Sequence, residues 1–201
     1  SGGTTSSGRA PLDPPAGPIN RIAILRLERA EPVSETELRA RPTDSPSPRL
    51  APNAETAVTA QLYGVIANDS RWRLAPDLEV DDAMREVPLS GSLQTRATAL
   101  GKATESDAVI TGRVSRFQER VGGEFGARHP ASVAFDLELV ETATGTVLWR
   151  GAFERTQTDL SANLLDFWTF WEGGARWLSA TELARIGIER LVADLDQALQ
   201  Q

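Results

Sequence analysis

Two hundred and one residues, 40% hydrophobic and 24% charged, are enough chain for one globular domain with tails. Twenty-one basic against 28 acidic side chains leave a net charge of −7, so the chain has no general electrostatic attraction for nucleic acid or anionic lipid. With no cysteine and a single histidine, disulfides, thiolate metal sites, iron–sulfur clusters and cysteine nucleophiles are excluded, and neither a metal nor a cofactor is expected.

The chain opens Ser1-Gly2-Gly3 without a methionine, and the expectation is that its true start has been removed. Residues 1–18 hold four Pro, four Gly, three Ser and two Thr, a composition that favours extended or flexible backbone and reads as an N-terminal tether. The remainder, 19–201, reads as one globular domain. Ile19 to Glu28 alternates, with Ile22, Ile24 and Arg26 on one face and Ala23, Leu25 and Leu27 on the other, as a strand buried on both sides would. The stretch 29–52 that follows is polar and proline-rich and reads as a long loop.

From Asn53, taken as the cap, Val58, Leu62, Val65 and Ile66 recur at helical spacing up to Asn68. Arg71 to Leu74 fits a short strand, and Val80 to Val87 is ambiguous. Leu93, Ala97, Leu100 and Ala103 mark a second amphipathic helix. Three extended segments come next, Asp107 to Glu119, Ala131 to Glu141 and Thr146 to Thr158. The Thr-Ala-Thr-Gly link between the last two has hairpin chemistry, so an antiparallel three-strand meander is predicted. A final helix capped by Ser179 or Thr181 places Leu183, Ile186, Leu191, Leu195 and Leu199 on one face. The predicted fold class is therefore α/β in the α+β sense, a mixed sheet of about five strands covered by amphipathic helices.

Catalytic chemistry is hard to assemble from these residues. His129, in the glycine-rich link between two predicted strands, has no nucleophile or orienting partner in sequence and reads as a plain loop residue at a flexible hairpin tip. Asp81-Asp82 is the adjacent acidic pair considered for acid–base work, but neighbours in sequence point apart on any regular element. No catalytic residue is assigned.

The anomaly is the segment 164–177. Phe167, Trp168, Phe170, Trp171 and Trp177 place five of the chain's twelve aromatic side chains within eleven residues, and no single helix face hides them all. Either the rings finish the core at the end of the sheet, or they form an exposed contact patch for another subunit, a protein partner or a membrane headgroup layer. The candidate contact residues are Phe167, Trp168, Phe170, Trp171, Arg176 and Trp177.

The order of elements, with the opening strand Ile19 to Glu28, the helix before Ala67-Asn68-Asp69, the run Leu100 to Gly112 and the hairpin Leu137 to Trp149, resembles the periplasmic lipoprotein group that includes the curli secretion protein CsgG, the exopolysaccharide export lipoprotein PelC and the penicillin-binding-protein activator LpoB, with a relative in the N-terminal domain of TolB. The resemblance implies a mixed α/β domain in the periplasm, held on the inner leaflet of the outer membrane through a lipidated cysteine missing from this chain. It further implies action by homo-oligomerisation or by binding an envelope protein partner, and no catalysis. Nothing in the sequence supplies the long apolar hairpin pairs of a curli-type transmembrane barrel, so a soluble ring or a monomeric activator is the expected form. Two other readings stay open: a glycan- or lipid-binding module using the tryptophans, and a hydrolase whose site lies among scattered Asp, Glu, Arg and Ser residues.

Overall fold

In a computed structural model of the chain, residues 5–8, 14–31, 50–69, 71–123, 126–156 and 178–200 are described. The elements in chain order are β1 (Thr5–Gly8), β2 (Arg21–Ile24), β3 (Glu28–Arg29), α1 (Ala54–Ala67), β4 (Arg73–Leu74), α2 (Asp77–Ala83), α3 (Leu93–Ala103), β5 (Ala108–Gln118), β6 (Val121–Gly123), β7 (Gly126–His129), β8 (Ser132–Glu141), β9 (Val147–Thr156) and α4 (Ala180–Leu199).

Seven of these strands make one mixed sheet in the order β1-β9-β8-β5-β2-β4, with β3 also paired to β5. β2 lies between β4 and β5 and is parallel to both. Parallel neighbours require helices on both faces of the sheet, and Ile22, Ala23 and Ile24 are accordingly all fully buried. From β5 onward the pairing is antiparallel through β8 and β9, which is the predicted meander.

Two cores sit on opposite faces. On one, Ile22, Ile24 and Leu27 pack with Val58, Leu62 and Ile66 of α1, with Leu183, Ile188, Leu191 and Leu195 of α4, and with Phe135, Trp149 and Phe153 of the meander. On the other, Ala23, Leu25, Val109 and Val140 pack with Val80 of α2 and Leu93, Ala97 and Leu100 of α3. The connection after β2 thus delivers α1 to one face, and the connection after β4 delivers α2 and α3 to the other. Helix α4 lies unusually close to β9: a Cβ added at Gly187 would stand 2.4 Å from the Phe153 ring. Among the described residues no helix is long and apolar enough to cross a membrane.

Several local expectations are corrected. The first strand breaks after Ile24, because Arg26 turns out to solvent; Leu27 then rejoins the face of Ile22 and Ile24 instead of that of Ala23 and Leu25. Asn53 precedes α1 but does not cap it with its side chain: it is left-handed at φ 60°, a conformation asparagine tolerates, and Ala54 N–H instead donates to Ala51 O at 3.2 Å. The ambiguous segment begins as the seven-residue helix α2. The link holding His129 is not a bare hairpin tip, since β6 and β7 form a second, two-stranded antiparallel sheet with a register shift at Val121/Gly122. Within the segment read as a tether, Thr5–Gly8 pairs antiparallel with β9, and Ala16 N–H donates to Glu141 Oε1 at 2.6 Å. Most of the polar loop, 32–49, lies outside the described residues; its end is held where Leu50 bridges Phe117.

Candidate functional site

At the carboxyl ends of β2 and β3, α1 departs over one face of the sheet while α2 and α3 lie on the other. Between them opens a cleft of ≈ 410 Å³ whose polar lining comes chiefly from Arg26, Glu28, Tyr63, Asp77, Asp81 and Arg96. Open α/β sheets bind ligands where successive crossovers diverge in this way. Tyr63 projects from α1 with its hydroxyl 3.4 Å from Ile24 O. Burial raises the pKa of the phenol well above its ordinary value, the Asp77 and Asp81 carboxylates push it the same way, and Arg26 opposes them weakly. The phenol is therefore neutral at physiological pH, its one proton shared between Ile24 O and the Asp77 carboxylate, with its oxygen still able to accept.

Opposite Tyr63, Arg96 of α3 contacts Glu28, and its Nε is buried without a hydrogen-bond partner. Thr59, the most buried hydroxyl in the lining, accepts from Leu27 N–H at 3.1 Å and donates to Glu55 O at 2.6 Å. Its oxygen is thus committed to the backbone. The cleft can hold a polar ligand by hydrogen bonds and charge, and within its lining the Tyr63 hydroxyl is paired with the Asp77 carboxylate. Among the described residues no three metal-ligating side chains converge.

A second polar assembly lies on the meander. Glu138, nearly buried, accepts from Gln94 Nε2 at 2.6 Å and from Arg150 Nε at 2.9 Å. Arg116 donates to Ser132 Oγ at 2.6 Å and pairs with Glu154 at 2.8 Å. Asp136 sits among these strands with its carboxyl pKa raised by burial, against the pull of Arg113. The alternating charges satisfy one another across β8 and β9 and stitch the strands together.

The candidate contact residues Phe167, Trp168, Phe170, Trp171, Arg176 and Trp177 all lie outside the described residues. Asp81 and Asp82 separate as expected, Asp81 lining the cleft and Asp82 pairing with exposed Arg85 at 3.3 Å. The cleft itself was missed in the sequence. Its available signals are that Asp77 and Asp81 share a face of α2 four residues apart, and that the chain's single tyrosine stands on α1 beside buried Leu62.

No family model and no curated protein matches the chain. Among solved structures, a PelC dodecamer from Paraburkholderia phytofirmans superposes with a TM-score of 0.52 at 15% identity, covering 95% of this chain and 98% of that one. The chain shares the PelC fold. LpoB from E. coli superposes at 0.46 and 13% identity over 71% of this chain and 60% of that one. A lipoprotein from Neisseria meningitidis gives 0.46 and 14% over 77% and 93%. PelC and LpoB both belong to the group the sequence resembles. In this rendering of the PelC fold, the cleft occupies the end of the sheet away from the point where the N-terminal segment joins the domain.

Proposed function

We propose that the protein is a non-enzymatic lipoprotein of the bacterial envelope that serves assembly or export by binding copies of itself or an envelope partner. The observation carrying this reading is the near end-to-end superposition on PelC, a dodecamer in the structure that matches. A lipidated cysteine ahead of Ser1 would hold the domain on the inner leaflet of the outer membrane. Phe167, Trp168, Phe170, Trp171, Arg176 and Trp177 form the contact surface, because large rings and an arginine are the side chains that best anchor an interface.

Light scattering on residues 1–201 over a concentration series tests the self-assembly arm. A single, concentration-stable mass at a whole multiple of the chain supports a closed ring. A strict monomer overturns self-assembly and leaves the partner-binding arm, which cross-linking in envelope preparations would then address.

A further inference from the structure

β9 is ten residues long, and β1 covers only four positions of its outer edge: Thr5 stands opposite Glu154, Ser6 opposite Phe153, Ser7 opposite Ala152 and Gly8 opposite Gly151. The remaining positions of that edge face no described strand. An edge of this length is a template for strand addition. The strand occupying it is Thr-Ser-Ser-Gly, with no aliphatic or aromatic side chain to bury. It is held by main-chain pairing with β9 and by contact with α4, and a strand from either molecule can make both.

After Gly8 the chain is held again at Ala16, whose N–H donates to Glu141 at the turn end of the β8–β9 hairpin. The connecting residues include Pro11, Pro14 and Pro15. Each proline fixes one backbone torsion and removes one backbone donor. Donor and acceptor are both present in every copy, and within this chain they are paired with each other.

We propose that β1 is exchanged between copies: Thr5–Gly8 of one molecule adds to β9 of the next, antiparallel and in the register seen within the chain. The exchange preserves every main-chain hydrogen bond of β1, so it is close to neutral per molecule, and the contacts that follow between the two bodies decide it. Because the contact runs head to tail, repetition closes into a ring where the rotation permits. This inference rests on the self-assembly arm of the reading above and names the segment that links the subunits.

The absence of cysteine from residues 1–201 makes a clean test available on that chain. Positions directly opposite in an antiparallel pair have Cα atoms about 4.5–5.5 Å apart, within disulfide reach. Full-length Ser7→Cys and full-length Ala152→Cys are mixed, incubated and oxidised in a glutathione buffer, and the double variant is oxidised in parallel. The expected result is a covalent two-chain product from the mixture, with the 7–152 disulfide located by peptide mass spectrometry, and a ladder of linked chains from the double variant. A double variant that closes only within single chains, with no 7–152 product in the mixture, overturns exchange; so does the absence of that bond in both reactions. Thr5→Cys with Glu154→Cys repeats the test should the first pair impair folding, which circular dichroism would reveal. If the unmodified chain is a closed oligomer while the cross-links stay within chains, exchange fails and self-assembly stands. A strictly monomeric unmodified chain overturns both.

Discussion

Tyr63 is the chain's single tyrosine, so its ionisation can be followed by absorbance without interference from another phenol. Burial and the neighbouring Asp77 and Asp81 carboxylates oppose tyrosinate formation, and we expect no tyrosinate signal in an alkaline titration until the fold itself is lost. A phenol titrating at its ordinary value near pH 10 would mean the cleft is open to bulk water. Asp136 provides a test with a pH sign. Folding raises its pKa, so the folded chain holds this proton more tightly than the unfolded one, and the group costs stability at neutral pH that is recovered as the pH falls into the aspartate range. Asp136→Asn should therefore raise Tm at pH 7, with the gain shrinking below about pH 4. Asp69 runs the other way: its hydrogen bonds with Arg71 lower its pKa, and that stabilisation is lost on acidification. Gly187→Ala would drive a methyl group into the Phe153 ring, and overpacking of this kind costs about 1–3 kcal/mol, a fall in Tm of several degrees by thermal melting. Apart from the Asp69–Arg71 pair, two residues apart, these environments were not legible locally. Tyr63 owes its shift to burial and then to the carboxylates of α2, and Gly187 owes its constraint to β9, surroundings that sequence spacing does not announce.

Where a segment carries its own periodic signal, the kind of element was legible, even where, as at Ile19 to Glu28, its extent was not. The alternation from Asp107 to Glu119 and from Ala131 to Glu141 became β5 and β8, and the helical spacing of Val58, Leu62 and Ile66 became α1. Ser179 closes a full capping box with Glu182, its hydroxyl accepting from Glu182 N–H at 3.1 Å while the Glu182 carboxylate accepts from Ser179 N–H at 2.8 Å. Ser179→Ala should cost about 1 kcal/mol, read as a lower denaturation midpoint with an unchanged m-value. Segments held by backbone alone gave no such signal. Neither Thr5–Gly8 nor the glycine-rich strands β6 and β7 present an apolar face, so nothing in their side chains distinguishes a strand from a loop. α2 stayed ambiguous because seven residues barely complete two turns, too few for periodicity to separate helix from strand.

The general architecture was legible because the sequence alternates sheet and helix signals in an order that admits few topologies, and phrases such as Leu100 to Gly112 pointed to the group in which PelC was named. The proposed contact residues stand out in the sequence only as an anomaly of composition, since rings crowded into 167–177 serve equally well as core or as interface until their surroundings are known. Replacing Trp168 and Trp171 by alanine separates these roles. An interface predicts an unchanged melting curve and a shift to smaller mass in light scattering, whereas a core predicts a Tm lower by many degrees. The entry of the N-terminal segment has a mechanical meaning. Asp107 Oδ2 accepts from both Asn20 N–H and Arg21 N–H at 2.8 Å, just where the chain enters β2, and β2 is flanked on both sides by parallel strands. A pull on the chain just ahead of Asn20, along the axis of β2, would load its bonds to β4 and β5 in shear, all at once, instead of peeling them apart one by one.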